Sequence, residues 1–490
     1  MTARPNILFI NTDQQAWDAV SGGGNPYLAT PNLDRLRTQG LSFDRSYCTD
    51  PVCSPARASW MTGRYTSEAG VPSNGGWLHD DIPDLGQILT AAGYDACHAG
   101  KWHVPGRDVR ESFRTLYFGK DAIGAGGADY YDPATTHAVL DFLAHHDPSQ
   151  PFFLHVGYVN PHDICEFLHD HEHKSPPDPV ESGLVVESDL PPLPASFSYD
   201  ERETVVQRVF RRGSGPLIHP GIQQGVRDWD NRRWRYLLWN LYRFTEQVDQ
   251  EIGLVLDALA ASPMRDNTLI LFSVDHGESA GRHHTFQKFT PYEESIRVPL
   301  VIASLGERLA VPKGTEDREH LVSGVDLLPT VCDYAGASVP PGCRGASLRP
   351  LVEGRNVPWR DAVYVESNVW GRVWVGPRWK YVAEYIPNDP EEPVPPRPDT
   401  HIRGLEQFFD LDHDPDERFN LADEPAHAPA VMRCRADLEG FERTLSSRRF
   451  NSGCGLCRHG LFDQWAVAVR TYWREHPELG RLQPGHGTGQ

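Results

Sequence analysis

Asn6-Ile7-Leu8-Phe9-Ile10-Asn11, running directly into Thr12-Asp13-Gln14, is an apolar stretch without alternation. That pattern belongs to a parallel strand covered on both faces. Leu269-Ile270-Leu271-Phe272-Ser273-Val274 has the same design and ends in Asp275-His276-Gly277. Ligands of open α/β sheets collect outside the carboxyl ends of the strands, so two strands that each finish on an acid and a second donor predict one shared site. Residues 95–99 lead into Gly100-Lys101-Trp102-His103, and residues 152–159 lead into Asn160-Pro161-His162, which brings two further strand ends to it.

Between these runs the periodicity is helical. It covers residues 31–40 with Leu33 and Leu36, 85–92 before Gly93, 138–144, and a long stretch from about 232 to 261 carrying Leu237, Leu241, Val248, Ile252, Leu256 and Leu259. The alternation predicts an α/β fold, a mostly parallel central sheet with helices on both faces. After Val298-Pro299-Leu300-Val301-Ile302 come a helix near 326–335 and a connector over 345–354. Short, turn-separated runs at 363–366, 372–375, 380–382 and 408–411 then predict a small antiparallel sheet. The expected division is a large N-terminal domain over 1–355, which holds these strand ends, and a C-terminal subdomain over 356–490, with a helical tail from about 428 that includes a second helix at 462–476. Residues 173–197, rich in proline and acid, read as a long surface loop near the site or as a spacer.

A chain of 490 residues exceeds what one core normally holds, since single cores stop growing near ~250–300 residues. The 67 acidic against 47 basic residues give a net charge of −20, which argues against a nucleic-acid backbone or an anionic membrane as partner. No apolar run approaches the ~20 residues of a membrane helix. The start, Met1-Thr2-Ala3-Arg4-Pro5-Asn6, shows no secretory leader, so the expected location is cytoplasmic, or periplasmic or secreted if a leader has been removed. Of 9 cysteines only Cys454 and Cys457 make a C-x-x-C, too little for a structural zinc site and read as a free or locally paired couple. The oligomeric state stays open.

The chemistry is concentrated in Cys53-Ser54-Pro55-Ala56-Arg57, extended by Ala58-Ser59-Trp60-Met61-Thr62-Gly63-Arg64. A proline two residues after the cysteine is pre-set for a first helical turn, so the peptide N–H groups of residues 54–57 point at whatever lies beside Cys53, and an anion belongs there. A buried structural cysteine before an ordinary helix has the same local pattern. The stretch resembles the signature of the type I, formylglycine-dependent sulfatases of the alkaline phosphatase superfamily. The resemblance continues, in that family's order, through residues 6–14, Thr30-Pro31-Asn32-Leu33-Asp34-Arg35-Leu36, Gly100-Lys101-Trp102-His103, and Asp275-His276-Gly277-Glu278 with Lys288. It closes with Tyr292-Glu293-Glu294-Ser295-Ile296-Arg297-Val298-Pro299, Val325-Asp326-Leu327-Leu328-Pro329-Thr330, and Asp410-Leu411 through Asn420-Leu421, covering about residues 4–425.

What the resemblance implies is a sulfatase in which a maturation enzyme oxidises Cys53 to formylglycine, whose hydrate attacks sulfur. Asp13, Gln14, Asp275 and His276 stand where the family holds one divalent metal, with matured Cys53 as a further ligand. Many sulfatases have a carboxylate where Gln14 stands and an asparagine where His276 stands; calcium is the expected ion, while the imidazole admits manganese or another divalent ion. By the same resemblance Arg57 clamps the hydrated aldehyde, Lys101 and Lys288 hold sulfate oxygens, His103 takes a proton from the diol, and His162 protonates the leaving oxygen. Arg282, His283 and His284 are candidates for the substrate rim, His169, His171 and His173 for a chelating or merely polar loop, and the exposed aromatics Trp77 and Trp370 for a sugar face. The expected substrate is a small sulfated carbohydrate. Choline or aryl sulfates, a phosphonate monoester or phosphodiester in the same superfamily, and a non-enzymatic glycan-binding module are the alternatives.

Overall fold

The computed structural model describes residues 4–118, 127–171, 174–198, 203–211, 226, 228–367, 371–384 and 406–446. His173, Trp370, Cys454, Cys457 and the expected helix at 462–476 lie outside the described residues.

An eight-stranded sheet is built from β1 (Asn6–Asp13), β2 (Gly40–Phe43), β4 (Asp95–Gly100), β5 (Arg114–Tyr117), β6 (Phe152–Pro161), β7 (Thr268–Val274), β8 (Leu300–Ala303) and β9 (Thr315–Asp317). The short strands β3 (Ser46–Tyr47) and β10 (Val322–Ser323) form a separate parallel pair. The order across the large sheet is β5-β4-β6-β1-β7-β8-β2-β9. The first five run parallel, and β8 alone is antiparallel to both its neighbours. The reason lies in the connection after β7. It carries the loops of the site, a 3-10 turn at Arg282–His284 and the short helix Glu293–Ile296, with no long crossover helix of the kind that returns a chain to a parallel start.

Strand β1 sits between β6 and β7, with Leu8 opposite Leu154 and Ile270. Its alternate residues feed two separate apolar layers. Ile7 and Phe9 join Phe153, Leu269 and Leu271 beneath the helices Cys53–Thr62, Leu85–Ala91 and Leu327–Ala335. Leu8 and Ile10 join Leu154, Val156, Ile270 and Phe272 beneath the helices Ala128–His145 and Asn231–Ala261. Each such side chain contributes about 1.5–3 kcal/mol by leaving water, on both faces at once, and that is why the run lacks alternation.

The remaining strands, β11 (Val363–Ser367), β12 (Gly371–Val375), β13 (Trp379–Glu384) and β14 (Glu406–Asp410), form an antiparallel meander. One face, through Val363, Val365, Val373, Val375, Val382 and Phe409, continues the core of the large sheet, where it meets Tyr292 and Ile296. The other face, through Tyr364, Tyr381 and Phe408, receives Val431 and Leu438 of the helix Ala428–Glu442. Among the described residues no helix is long and apolar enough to cross a membrane.

Candidate active site

Four chain segments expected to converge do so at the carboxyl edge of the large sheet. Their approach depends on two glycines. Gly100 ends β4 with a positive φ of 93°, and a Cβ there would lie 2.1 Å from Gly157 O of β6, so only glycine lets the chain turn and send Lys101 inward. Gly277 passes so close to Glu294 that a Cβ would meet its carbonyl oxygen at 1.8 Å.

Cys53 opens the helix Cys53–Thr62, every residue of which is buried, and the Ser54 N–H donates to Asn74 Oδ1 at 3.1 Å. Cys53 Sγ lies 3.0 Å from Lys288 Nζ, 3.1 Å from His276 Nε2 and 3.7 Å from Asp13 Oδ1. Burial and the Asp13 carboxylate push its pKa up, while Lys288, Lys101 and a contact with His103 pull it down further, leaving the thiol at about 7. The His103 contact is loose, because neither ring nitrogen reaches hydrogen-bond geometry, and its backbone is left-handed with φ 52°.

Arg57 is turned toward the carboxylates. Its Nη2 donates to Asp13 Oδ2 and its Nε to Asp275 Oδ2, both at 2.9 Å, and its Nη1 to Lys101 O at 3.1 Å. The Lys101 ammonium pairs with Asp13 Oδ2 at 2.8 Å without good hydrogen-bond geometry. Burial opposes the charge on Asp13, yet Lys101, Arg57 and Lys288 hold it well below the usual carboxylate range. Asp275 behaves differently: burial and the charge of Asp13 raise it to about 6.

His276 Nδ1 faces Gly277 O at 3.0 Å, and a carbonyl only accepts, so Nδ1 carries the proton. The Nε2 lone pair then points at Cys53 Sγ, with Asp275 Oδ1 at 3.7 Å and Asp13 Oδ1 at 3.9 Å. Burial lowers this imidazole to about 4, which keeps it neutral near pH 7, the form that ligates. Asp13, Cys53, Asp275 and His276 each offer one ligand atom, all within 4.8 Å of one another. Two buried carboxylates, one of them pushed up by the other, beside an inward imidazole lone pair form a donor set that fits a divalent cation.

His162 follows the cis Asn160–Pro161 bond and is buried with Nδ1 unpaired. Burial, then Lys101 and Lys288, lower it well below the usual imidazole value. The other histidines do something else. His283 is buried, bonded to Glu294 Oε1 at 2.8 Å and Glu417 O at 3.2 Å, and stacked on Tyr292 at 3.8 Å, so it braces the fold and does not line a rim. His284 packs on Phe197 and Trp234, Arg282 pairs with Asp18, and His171 Nδ1 bonds Phe167 O at 2.6 Å. The loop ending in Phe197 lies along the start of the Asn231–Ala261 helix through Arg232–Asp178 and Arg235–Glu187, and its last ring reaches the loop that follows β7. Sequence reasoning assigns nothing to Asn74, Glu278 or Asp132, whose carboxylate accepts from Val159 N at 2.7 Å and Asn160 N at 3.0 Å. Glu278 stands in the Asp-His-Gly-Glu run and could have been found there; the other two carry no local signal.

Three cations, Arg57, Lys101 and Lys288, stand around two carboxylates and a cysteine at a helix N-terminus, a buried positive cluster inside an acidic protein. The sulfatase family model matches residues 5–337, and the chain belongs to the sulfatase family. It is a sulfuric ester hydrolase. It is similar to the Δ4,5-hexuronate-2-O-sulfatase of Bacteroides thetaiotaomicron, 27% identical over 89% of each chain. It is also similar to the choline-sulfatase of Rhizobium meliloti, 29% identical over 98% of each. Among solved structures, that of a 2-O GAG sulfatase superposes with a TM-score of 0.75 at 25% identity, covering 91% of this chain and 95% of the other.

Proposed function

We propose that the protein releases sulfate from a small sulfated carbohydrate, using a formylglycine made from Cys53 and one divalent ion held by Asp13, Gln14, Asp275, His276 and matured residue 53. The observation that carries this reading is the position of Cys53 Sγ, 3.0 Å from Lys288 Nζ and 3.1 Å from the lone-pair nitrogen of His276. The sulfur stands in for the two hydroxyl oxygens of a hydrated aldehyde. Calcium is the ion of this reading, and the imidazole admits manganese or another divalent ion; when bound, it would make the diol more acidic and polarise a sulfate oxygen.

The chain's own residues do the rest. Lys101 and Lys288 hold the sulfate oxygens of the ester, and Arg57 fixes both carboxylates while facing the diol. One hydroxyl of the diol gives its proton to solvent and forms the new bond to sulfur; the bond from sulfur to the alcohol oxygen breaks, and His162 gives that oxygen its proton. In the free enzyme burial, with the cations of Lys101 and Lys288, favours neutral His162. A bound sulfate offsets the part of this that comes from the two cations, and so favours the protonated imidazole the step requires. His103 then takes the proton of the second hydroxyl, the C=O bond re-forms, sulfate leaves, and water adds to the aldehyde to restore the diol.

A net charge of −20 repels a polyanion, whereas one sulfate is drawn in by the cations at short range, within about one Debye length of ~8 Å. The relatives named for hexuronate and GAG sulfates support a carbohydrate. The choline-sulfatase relative, aligned over 98% of both chains, keeps choline sulfate as the second reading. Sulfate release from mono- and oligosaccharides, choline sulfate, an aryl sulfate, an aryl phosphonate monoester and intact polymers tests this. Fastest turnover of a short sugar is expected. Faster release from polymers contradicts the charge argument, a preference for choline sulfate moves the substrate class alone, and a preference for the phosphonate overturns the proposed use of the site.

A further inference from the structure

The amide of Gln14 has a single orientation open to it. Its Oε1 accepts from Lys288 Nζ at 2.8 Å, and its Nε2 donates to Glu278 Oε2 at 2.5 Å. An ammonium only donates and a carboxylate only accepts, so turning the amide over would set donor against donor and acceptor against acceptor. The remaining side-chain neighbour, Cys165 Sγ, lies 3.5 Å from Nε2 and 3.6 Å from Oε1 and imposes no preference. The other carboxylate oxygen of Glu278 accepts from Gln287 N at 2.5 Å and Ala280 N at 3.0 Å, and so ties down the loop that delivers Lys288. All three side chains are buried. Gln14 itself is held with a left-handed backbone, φ 66°, by its N–H donating to Asp275 Oδ1 at 3.1 Å.

We propose that Glu278 is a positioning residue: through the Gln14 amide it aims Oε1 at the metal position and at Lys288, and it supplies from one residue further out the negative charge that a carboxylate at position 14 would supply directly. The proposal rests on the metal site proposed above. A hydrogen bond from an amide NH2 to a carboxylate polarises the amide and enriches its oxygen, so a neutral Gln14 backed by Glu278 binds a cation better than a neutral amide alone. The same contact couples the ion to Lys288, and through Lys288 Nζ to Cys53.

Glu278→Gln separates this role from a merely structural one. A glutamine there keeps a carbonyl for the Ala280 and Gln287 N–H groups, so the loop is retained, but it turns an NH2 toward the NH2 of Gln14. The swapped pair Gln14→Glu with Glu278→Gln restores complementarity with the charge moved inward. Calcium and manganese affinities are measured by equilibrium dialysis on the full chain, without turnover, beside thermal unfolding of each metal-free protein. Glu278→Gln is expected to weaken binding by about 10- to 100-fold and the swapped pair to recover it, with little change in metal-free unfolding. Wild-type affinity in Glu278→Gln, or a swapped pair no tighter than that single variant, overturns the proposal. If the single variant does not fold, the swapped pair decides: wild-type-like affinity supports the proposal and loss of binding overturns it. If the wild type binds neither ion, the metal reading itself falls and this inference with it.

Discussion

Lys288 touches both Cys53 Sγ and Gln14 Oε1 from a fully buried position, so at the scale of single residues it is the cation whose removal is most informative. Lys288→Met keeps the length of the side chain and deletes the charge. We expect kcat on an aryl sulfate to fall by about 10²–10³-fold, the cost of losing one donor to developing negative charge, with wild-type stability in urea retained to within about 1 kcal/mol. An unchanged kcat would remove Lys288 from the reaction. Cys53→Ser, which cannot be oxidised to formylglycine by the same route, is expected to bind substrate and barely turn over, checked by ligand binding beside sulfate release. Much of this is legible in the chain. Asp13, Asp275 and His276 stand out by their places at the ends of two apolar runs, and the structure brings their ligand atoms within 4.8 Å of each other and of Cys53. Orientation is not legible. The His276 tautomer depends on where Gly277 O points, the Gln14 amide on Glu278 and Lys288, and the turning of Arg57 toward Asp13 and Asp275 on residues 44 and 218 positions away.

Elements position these groups by close backbone approach. Gly277→Ala puts a Cβ 1.8 Å from Glu294 O, and backbone cannot yield there as a flexible side chain would. A loss of about 1–3 kcal/mol in urea unfolding is expected, with weakened metal binding because His276 is the preceding residue. Wild-type stability would show that the two segments are free to separate. The helix Ala128–His145 is only half legible, as residues 138–144, because its first half is polar and contains Pro133, yet that half holds Asp132, whose carboxylate caps the end of β6 just before His162. Strand β2 and the edge strands β5 and β9 are three or four residues long, too short for any period to register. The reversal of β8 is a property of what its connection carries and not of the apolar run Leu300–Ala303, which reads the same in either direction.

For the molecule as a whole, charge makes two predictions. With a net charge of −20 around a buried positive site, added salt screens repulsion at long range and leaves the cluster intact. The kcat/KM for a sulfated sugar should therefore rise a few-fold between low and physiological ionic strength and then level off, while that for zwitterionic choline sulfate stays flat; a steady fall with salt would contradict this. The second prediction concerns stability. Burial raises Asp132 to about 7 from 3.8, against the Val159 and Asn160 N–H groups, and raises Glu384 to about 7 from 4.5. The folded protein thus keeps protons that the unfolded chain has already lost, so these groups stabilise fully below about pH 4 and lose that contribution as pH rises through 7. Asp132→Asn should flatten the urea-derived slope between pH 5 and 7 by up to about 1.4 kcal/mol per pH unit; an unchanged slope would show that Asp132 is ionised throughout. The whole account turns on residue 53. Protein produced at graded levels of the maturation enzyme is to be measured for the formylglycine fraction at residue 53, by peptide mass spectrometry, and for sulfate release in the same samples. Activity is expected to rise in proportion to that fraction and to vanish where the thiol is intact, and full activity in protein whose Cys53 is entirely thiol would contradict it.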